Sequence, residues 1–331
     1  MADYRGVLVL AEMRDQAIAP ITRELLGVGR KLAQDMGEGL SALLLGSGLG
    51  AATKEAIASG ADKVYVVDST AFASYNSDGY LTVVTKVCQE IRPAILLMGQ
   101  TSIGRDLAPL VAARLGASLS TDCVDLKIEP ATKKLVQTRP VYGGNALAVV
   151  VSKAYPQIAT VRARAMKPAE PDASRQGEVI AIDVGSLETR VRIVDVVKME
   201  TGQVKLEEAK VVVAGGAGIS EVKDFDLVKE LAAVLGGAVG ATRLPCEDGL
   251  VPWGFQIGQT GKIVAPDLYI AVAISGAPQH MAGCSGSKCI VAVNKDPQAN
   301  IFKVADFGIV ADYKQALPVM IKKCQEIKTS H

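Results

Sequence analysis

Four short stretches in the last third of the chain collect residue types that could hold and tune a redox ring: GATR at residues 240–243, QIGQTGK at 256–262, SGAPQH at 275–280 and VNKD at 293–296. Loops such as GQTG and SGAPQH offer backbone N–H groups, hydroxyls and an amide without bulk, which is what a pyrophosphate requires. An isoalloxazine ring is more selective. Its reduction pushes negative charge onto the pyrimidine side and changes protonation at N5, so a hydroxyl such as Thr260 and cations such as Arg243 or His280 would tune its potential. Taken singly, each residue has a plainer use: a packing histidine, a surface arginine, a turn threonine, and, in Asn294, a strand-end cap. Their grouping on successive loops makes them one candidate site for a bound flavin.

Two further glycine clusters invite a phosphate. GSGLGA at 46–51 follows an apolar run, opens a helical pattern and has Asp68 at the end of the next run, roughly 20 residues on as a dinucleotide fingerprint requires. The same small residues also let a helix pack closely on a sheet, and both readings stand on these residues alone. VVVAGGAGIS at 211–220 again ends an apolar run in glycines before a helix, a place where backbone N–H groups meet phosphate and where a tight turn needs glycine in any case. The six cysteines are scattered, and with two histidines in the whole chain the pair Cys284 and Cys289 lacks further ligands for a metal.

These loops need elements to carry them. The first half alternates apolar runs (GVLVLAE, LSALLLG, KVYVVD, AILLMG) with helical patterns over residues 18–36, 49–59, 80–91 and 103–115. Such alternation predicts βαβ units and a mostly parallel sheet. Residues 118–161 turn β-rich (TDCVDLKIE, KLVQTRP, ALAVVVS, QIATVRA) and predict hairpins or an extension of that sheet. After MKPAEPDASRQGE come two more β-like runs, VIAIDV and TRVRIVDVVKM, and a domain break is expected near Gly202. A second alternation follows: KVVVAGG, a helix over 226–235, DLYIAVAISG, KCIVAVN, FGIVAD and a last helix over 313–327. The expected fold is therefore α/β in two domains. An N-terminal nucleotide-binding-like sheet domain occupies residues 1–202, and a smaller doubly wound parallel-sheet domain occupies residues 203–331.

Composition agrees. Hydrophobic residues make up 49% and aromatics only 4%, the filling of buried parallel sheets. Thirty-six basic residues face 35 acidic ones with no long run of either sign, which argues against nucleic acid as a partner. The apolar run near the N-terminus is too short for a signal core or a membrane span, so a soluble, cytoplasmic protein is expected.

GGAVGATR, QIGQTGKIVAPDLYIAVAISGAPQHMAG and SKCIVAVNKDPQANIFKVADFGIVADY together resemble the C-terminal FAD domain of electron-transfer flavoprotein alpha subunits. GRDLAPLVAARLGASLSTDC, LVQTRPVYGGNALA and QIATVRARAM extend the resemblance over nearly the whole chain. It implies FAD contacts at Thr242 and Arg243, at Ile257, Gly258, Gln259 and Thr260, at Ser275, Gly276, Ala277, Pro278, Gln279 and His280, and at Asn294, Asp312 and Tyr313. It further implies Thr260 near flavin N5, Arg243 over the ring, His280 near the C2 carbonyl, and Asn294 and Asp312 toward the adenosine half. The implied partners are a beta subunit, forming a heterodimer, and an acyl-CoA dehydrogenase-type flavoprotein. The resemblance demotes GSGLGA to scaffold and implies an FAD domain that swings on a linker.

The chain departs from the family pattern at Ala217, where a GGRG loop commonly carries arginine, and in LPCEDGLVPWG after GATR, where Asp248 is expected to take the usual acidic place. Two modes exist in the family: a one-FAD carrier, and an anaerobic type that uses a second FAD in the beta subunit to bifurcate or confurcate electrons with NADH and ferredoxin. DYRGVLVLAE and the missing loop arginine lean toward the second. The alternatives from other classes are a self-sufficient flavin- or NAD-dependent oxidoreductase, for which the sequence offers no acid, base or nucleophile set, and a nucleotide-binding sensor, which leaves the second cluster unexplained.

Overall fold

The computed structural model describes residues 4–144, 146–185, 189–191, 193–195 and 205–329. It divides into two units, Met1–Val141 with Leu147–Lys198, and Tyr142–Ala146 with Met199–His331. The break expected near Gly202 lies outside the described residues.

In the first unit a seven-stranded sheet runs in the order Glu178–Ala181, Lys63–Asp68, Leu40–Gly46, Val7–Ala11, Ile95–Gly99, Gln157–Val161, Leu119–Cys123. Every pairing in it is parallel. Val7–Ala11 and Ile95–Gly99 are buried at every position, which explains why they read as unbroken apolar runs. Alternate residues serve opposite faces: Val7, Val9 and Leu44 join one apolar cluster, while Leu8, Leu10 and Leu43 join the other. The β-rich stretch does both things expected of it. Gln157–Val161 enters the parallel sheet, whereas Asp125–Ile128, Leu135–Val141 and Ala146–Val151 form a separate three-stranded sheet. The run TRVRIVDVVKM does not form a strand at 189–191 or 193–195, and its remaining residues lie outside the described ones.

The second unit is built on five parallel strands in the order Ala238–Ala241, Val211–Gly215, Leu268–Val272, Ile290–Asn294, Phe307–Val310. One face packs against helices Val222–Leu235 and Tyr313–Thr329 through Val213, Ile270, Val272 and Val293, with Phe225, Val228 and Leu317 opposite them. The intervening residues Val212, Ala214, Tyr269 and Ala271 turn the other way, under Val264, Met281 and Ile301. Strand order reverses between Val211–Gly215 and Leu268–Val272, the first and third strands of this unit in chain order. In an open parallel sheet, such a reversal sends consecutive connections to opposite faces and leaves a crevice at the carboxyl ends.

The first helix here starts at Val222, ahead of the expected residue 226. No side chain caps it, so there was no capping signal to read.

Candidate functional site

Each of the five strands of the second unit ends in a segment that meets this crevice: Gly216 to Gly218, Thr242 and Arg243, Ala273 to Gly276, Lys295 with Asp296, and Asp312 with Tyr313. The chain leaves Leu268–Val272 through Ala273 in the left-handed region, at φ 52°. An alanine held there costs about 1–2 kcal/mol. Its N–H donates to the Val293 carbonyl and its own carbonyl accepts from Gly218 N–H, which ties the loops of three strands together. Three residues on, Gly276 has φ 85°, and a Cβ there would lie 2.4 Å from the Ile301 backbone nitrogen. Only glycine fits.

Two cavities open along the crevice. One, of about 410 Å³, is lined by Thr242, Arg243, Ile257, Gly258, Gln259, Thr260, Ser275, Ala277, Gln279 and His280 among others. The second, of about 440 Å³, is lined by Ser275, Asn294, Asp312 and Tyr313 together with Ser220, Lys295 and Lys314. Ala217 and Ser275 border both, so the cavities adjoin at the reversal of strand order. Of the residues nominated from sequence, Gly276 and Pro278 line neither: the first makes the turn just described, and the second opens the short helix Pro278–Met281.

The side chains divide into those left for a ligand and those spent on the protein. Thr260 Oγ1 accepts from Gln256 Nε2 at 3.0 Å, which leaves its hydroxyl hydrogen to be donated outward. Arg243 is exposed and pairs with Glu247 Oε1 at 2.8 Å, one helical turn on. Asp248, expected in the family's usual acidic place, closes the same short helix, Arg243–Glu247. Asn294 donates from Nδ2 to the Ile274 carbonyl at 2.9 Å and accepts from Asp296 N–H at 3.0 Å, shaping the second cavity. Asp312 Oδ1 accepts from Lys314 N–H at 2.8 Å at the start of the last helix. The Tyr313 hydroxyl donates to Asp224 Oδ2 at 2.9 Å, and burial with that carboxylate pushes the phenol well above its ordinary range. Lys314 also reaches Asp224 at 2.9 Å; the bonds from Lys314 and then Tyr313 hold that carboxyl below its usual value.

His280 corrects the sequence reading. It was expected as a cation, but it is buried, and desolvation pulls it down to about 4, so the ring is neutral at ordinary pH. Both nitrogens are engaged by protein: Nε2 lies 2.8 Å from the Tyr269 hydroxyl and Nδ1 lies 3.0 Å from the Ile257 carbonyl. Gln256, which aims Thr260, was missed among the nominated residues although it begins the QIGQTGK motif.

The first glycine loop differs from these. Asp68 Oδ1 accepts from Gly48 N–H at 2.7 Å and Oδ2 accepts from Leu49 N–H at 3.0 Å. The donors and the acidic residue that a dinucleotide would need satisfy one another instead. Among the described residues, no helix is long and apolar enough to cross a membrane, and no group of three or more His, Cys, Asp or Glu could hold a metal ion.

Comparison with known proteins joins the two units. The electron transfer flavoprotein domain matches residues 7–187, and the electron transfer flavoprotein FAD-binding domain matches residues 205–285. The electron transfer flavoprotein subunit alpha of Thermoanaerobacterium thermosaccharolyticum is 43% identical over 99% of this chain and 100% of its own length. The chain belongs to the electron transfer flavoprotein alpha-subunit family. The protein of the same name from Bacillus subtilis is 41% identical over 98% of both chains, and Protein FixB of Clostridium saccharobutylicum is 42% identical over 99% and 98%. The cofactor of this electron transfer flavoprotein chain is FAD. Asn294, Asp312 and Tyr313 fall beyond the FAD-binding match and rest on the second cavity alone.

Proposed function

We propose that the chain is the FAD-holding subunit of a two-subunit electron carrier, with the flavin ring in the cavity at Thr260 and the adenosine half in the cavity at Asn294. The observation that carries this reading is the meeting of the two cavities at Ala217 and Ser275, at the reversal of strand order, with most of the nominated residues on their walls.

The residues fit the cofactor. The first cavity combines apolar walls from Ile257, Ile274 and Ala277 with an outward hydroxyl on Thr260 and an exposed guanidinium on Arg243. The second is more polar, with Ser220, Lys295 and Asp312 at hand. The turn at Gly276 brings backbone rather than side chain to the junction. When bound, FAD supplies the redox chemistry, and the chain supplies binding, orientation and charge. Thr260 would donate toward N5, favouring the electron-rich ring. Arg243 adds positive potential at the cavity mouth, where solvent and Glu247 moderate it. Neutral His280 holds the Ile257 carbonyl instead of facing the ring as a charge.

The partners are a beta subunit, completing a heterodimer, and an acyl-CoA dehydrogenase-type flavoprotein that delivers or receives electrons in the cytoplasm. The first unit serves as scaffold, consistent with Asp68 occupying its glycine loop. The test is optical. The chain co-purified with its beta subunit and supplied with FAD should be yellow and should bleach on adding a reduced acyl-CoA dehydrogenase or NADH. Unaided turnover of a small substrate, or absence of flavin absorbance, would overturn the proposal. Counting flavins per heterodimer separates the two modes: two favour bifurcation, and a single FAD favours the simple carrier.

A further inference from the structure

Tyr269 is among the largest side chains fully withdrawn from solvent. It sits mid-strand in Leu268–Val272, on the sheet face away from the two long helices, among aliphatic neighbours. A phenylalanine would fill that space as well. The hydroxyl is therefore the feature to explain, since a buried O–H must find a partner. Its partner is His280 Nε2 at 2.8 Å.

The direction of that bond follows from the other side of the ring. His280 Nδ1 lies 3.0 Å from the Ile257 carbonyl, and a carbonyl oxygen can only accept. Nδ1 therefore carries the hydrogen, Nε2 is a bare lone pair, and the phenol donates to it. In water the histidine ring favours the opposite tautomer, with its hydrogen on Nε2. The Cys284 thiol also borders the Tyr269 hydroxyl; burial pushes it up to about 12, so it stays protonated, and its S–H is directed to the His280 carbonyl at 3.7 Å, which leaves the phenol as the donor to Nε2.

Ile257 begins the turn that carries Thr260. That turn is tied to the segment around His280 by few bonds: Gln259 N–H to the Gln279 carbonyl at 2.7 Å, and the His280 ring to Ile257. We propose that Tyr269, which has no place on the cavity wall, is a positioning residue for the cofactor: its hydroxyl holds His280 in the Nδ1–H tautomer, and that tautomer clamps the Ile257 carbonyl and with it the turn bearing Thr260. The inference rests on the reading of this cavity as the flavin site. Replacing Tyr269 by phenylalanine leaves the shape of the core but strands the Nε2 lone pair in apolar surroundings, so the ring turns and the clamp opens.

The test uses the full chain, labelled with nitrogen-15 histidine and assembled with an unlabelled beta subunit, so that signals come from His280 and His331 alone. The unaltered protein should show His280 with a protonated Nδ1 and an unprotonated Nε2 at neutral pH, with or without FAD. Tyr269→Phe should lose that pattern and bind FAD at least tenfold more weakly, with its thermal transition still cooperative. Asparagine places an amide donor where Nδ1 was and glutamine places it where Nε2 was, so His280→Asn should restore most of the affinity and His280→Gln should not. Tyr269→Phe added to His280→Asn should cost nothing more. A Tyr269→Phe protein with an unchanged nitrogen spectrum and unchanged FAD affinity overturns the proposal, as does His280→Asn binding no better than His280→Gln. If the unaltered complex binds no FAD, the flavin reading fails instead, while the nitrogen spectrum still decides whether Tyr269 sets the tautomer.

Discussion

Gly283→Ala is the substitution whose consequence is most fully fixed by the geometry. Gly283 follows the short helix Pro278–Met281, and a Cβ built there would lie 2.3 Å from Gly258 N and 2.5 Å from Gly258 Cα. Both atoms are backbone, so no side chain can swing aside. Gly283 is not among the glycines with positive φ, so the methyl adds no torsional strain and the whole cost is steric. Forcing a methyl into packed backbone costs roughly 1–3 kcal/mol and is relieved by moving the less anchored partner, here the turn from Ile257 to Thr260. For a domain of this size that is a fall of roughly 3–10 °C in the melting transition. Because the displaced turn carries Thr260, FAD affinity should fall by roughly a factor of ten or more, equivalent to the ~1.4 kcal/mol that one misplaced tether can cost. Gly236→Ala is the control: φ is 66°, nothing lies within 4 Å of its Cβ, and it caps helix Val222–Leu235 away from the cavities. It should lose about 1–2 kcal/mol from the left-handed conformation alone. Thermal melts of the FAD-free protein and fluorescence titration with FAD measure both quantities. The reasoning is refuted if Gly283→Ala binds FAD as tightly as the unaltered protein, or if Gly236→Ala weakens FAD as much as Gly283→Ala does.

Other perturbations separate the roles of individual groups. Thr260→Val keeps the shape and removes the outward donor, so the one-electron midpoint potential of bound flavin should fall by roughly 20–60 mV, the equivalent of one hydrogen bond; spectroelectrochemistry checks it, and an unchanged potential removes Thr260 from the ring. Arg243→Gln removes an exposed cation and should weaken FAD severalfold in dilute buffer, with the difference shrinking as salt is added because solvent-exposed charge is screened. Protonation gives the two units opposite slopes. His280 falls from 6.5 to about 4 on folding, so its contribution, about 3 kcal/mol, is whole above pH 6.5 and is lost as pH drops toward 4; His280→Gln should flatten that acid limb in urea melts. Glu24 in the first unit is raised from 4.5 to about 7, chiefly by burial, so its contribution is whole below pH 4.5 and is lost as pH rises through 7. Glu24→Gln should therefore gain on the unaltered protein across that window, and parallel pH profiles would contradict the burial argument.

The strands were legible because parallel strands buried on both faces must be apolar throughout, as in Val7–Ala11 and Leu268–Val272. The site loops were legible for a related reason: each follows such a run, and a parallel sheet gathers the carboxyl ends of its strands on one edge. What could not be read depends on distant partners. The neutrality of His280 follows from burial in the folded core, against the opposing pull of an Ile257 carbonyl 23 residues away, and no local pattern announces either. Spacing singled out both GSGLGA and Asp68, yet only the bonds between them show that the loop's donors are already satisfied. TRVRIVDVVKM alternates like a strand, but residues 189–191 and 193–195 have no strand partner in the structure; alternation describes a half-buried face without supplying the neighbour that buries it.

The position of the flavin in the assembled complex is the most direct test. In a crystal structure of the chain with its beta subunit and FAD, the isoalloxazine assigned to this subunit should lie with N5 within hydrogen-bonding distance of the Thr260 hydroxyl, beside Arg243, and the adenosine should lie in the cavity at Asn294. A ring resting against residues 46–51, or a complex that stays colourless with FAD present, contradicts the account.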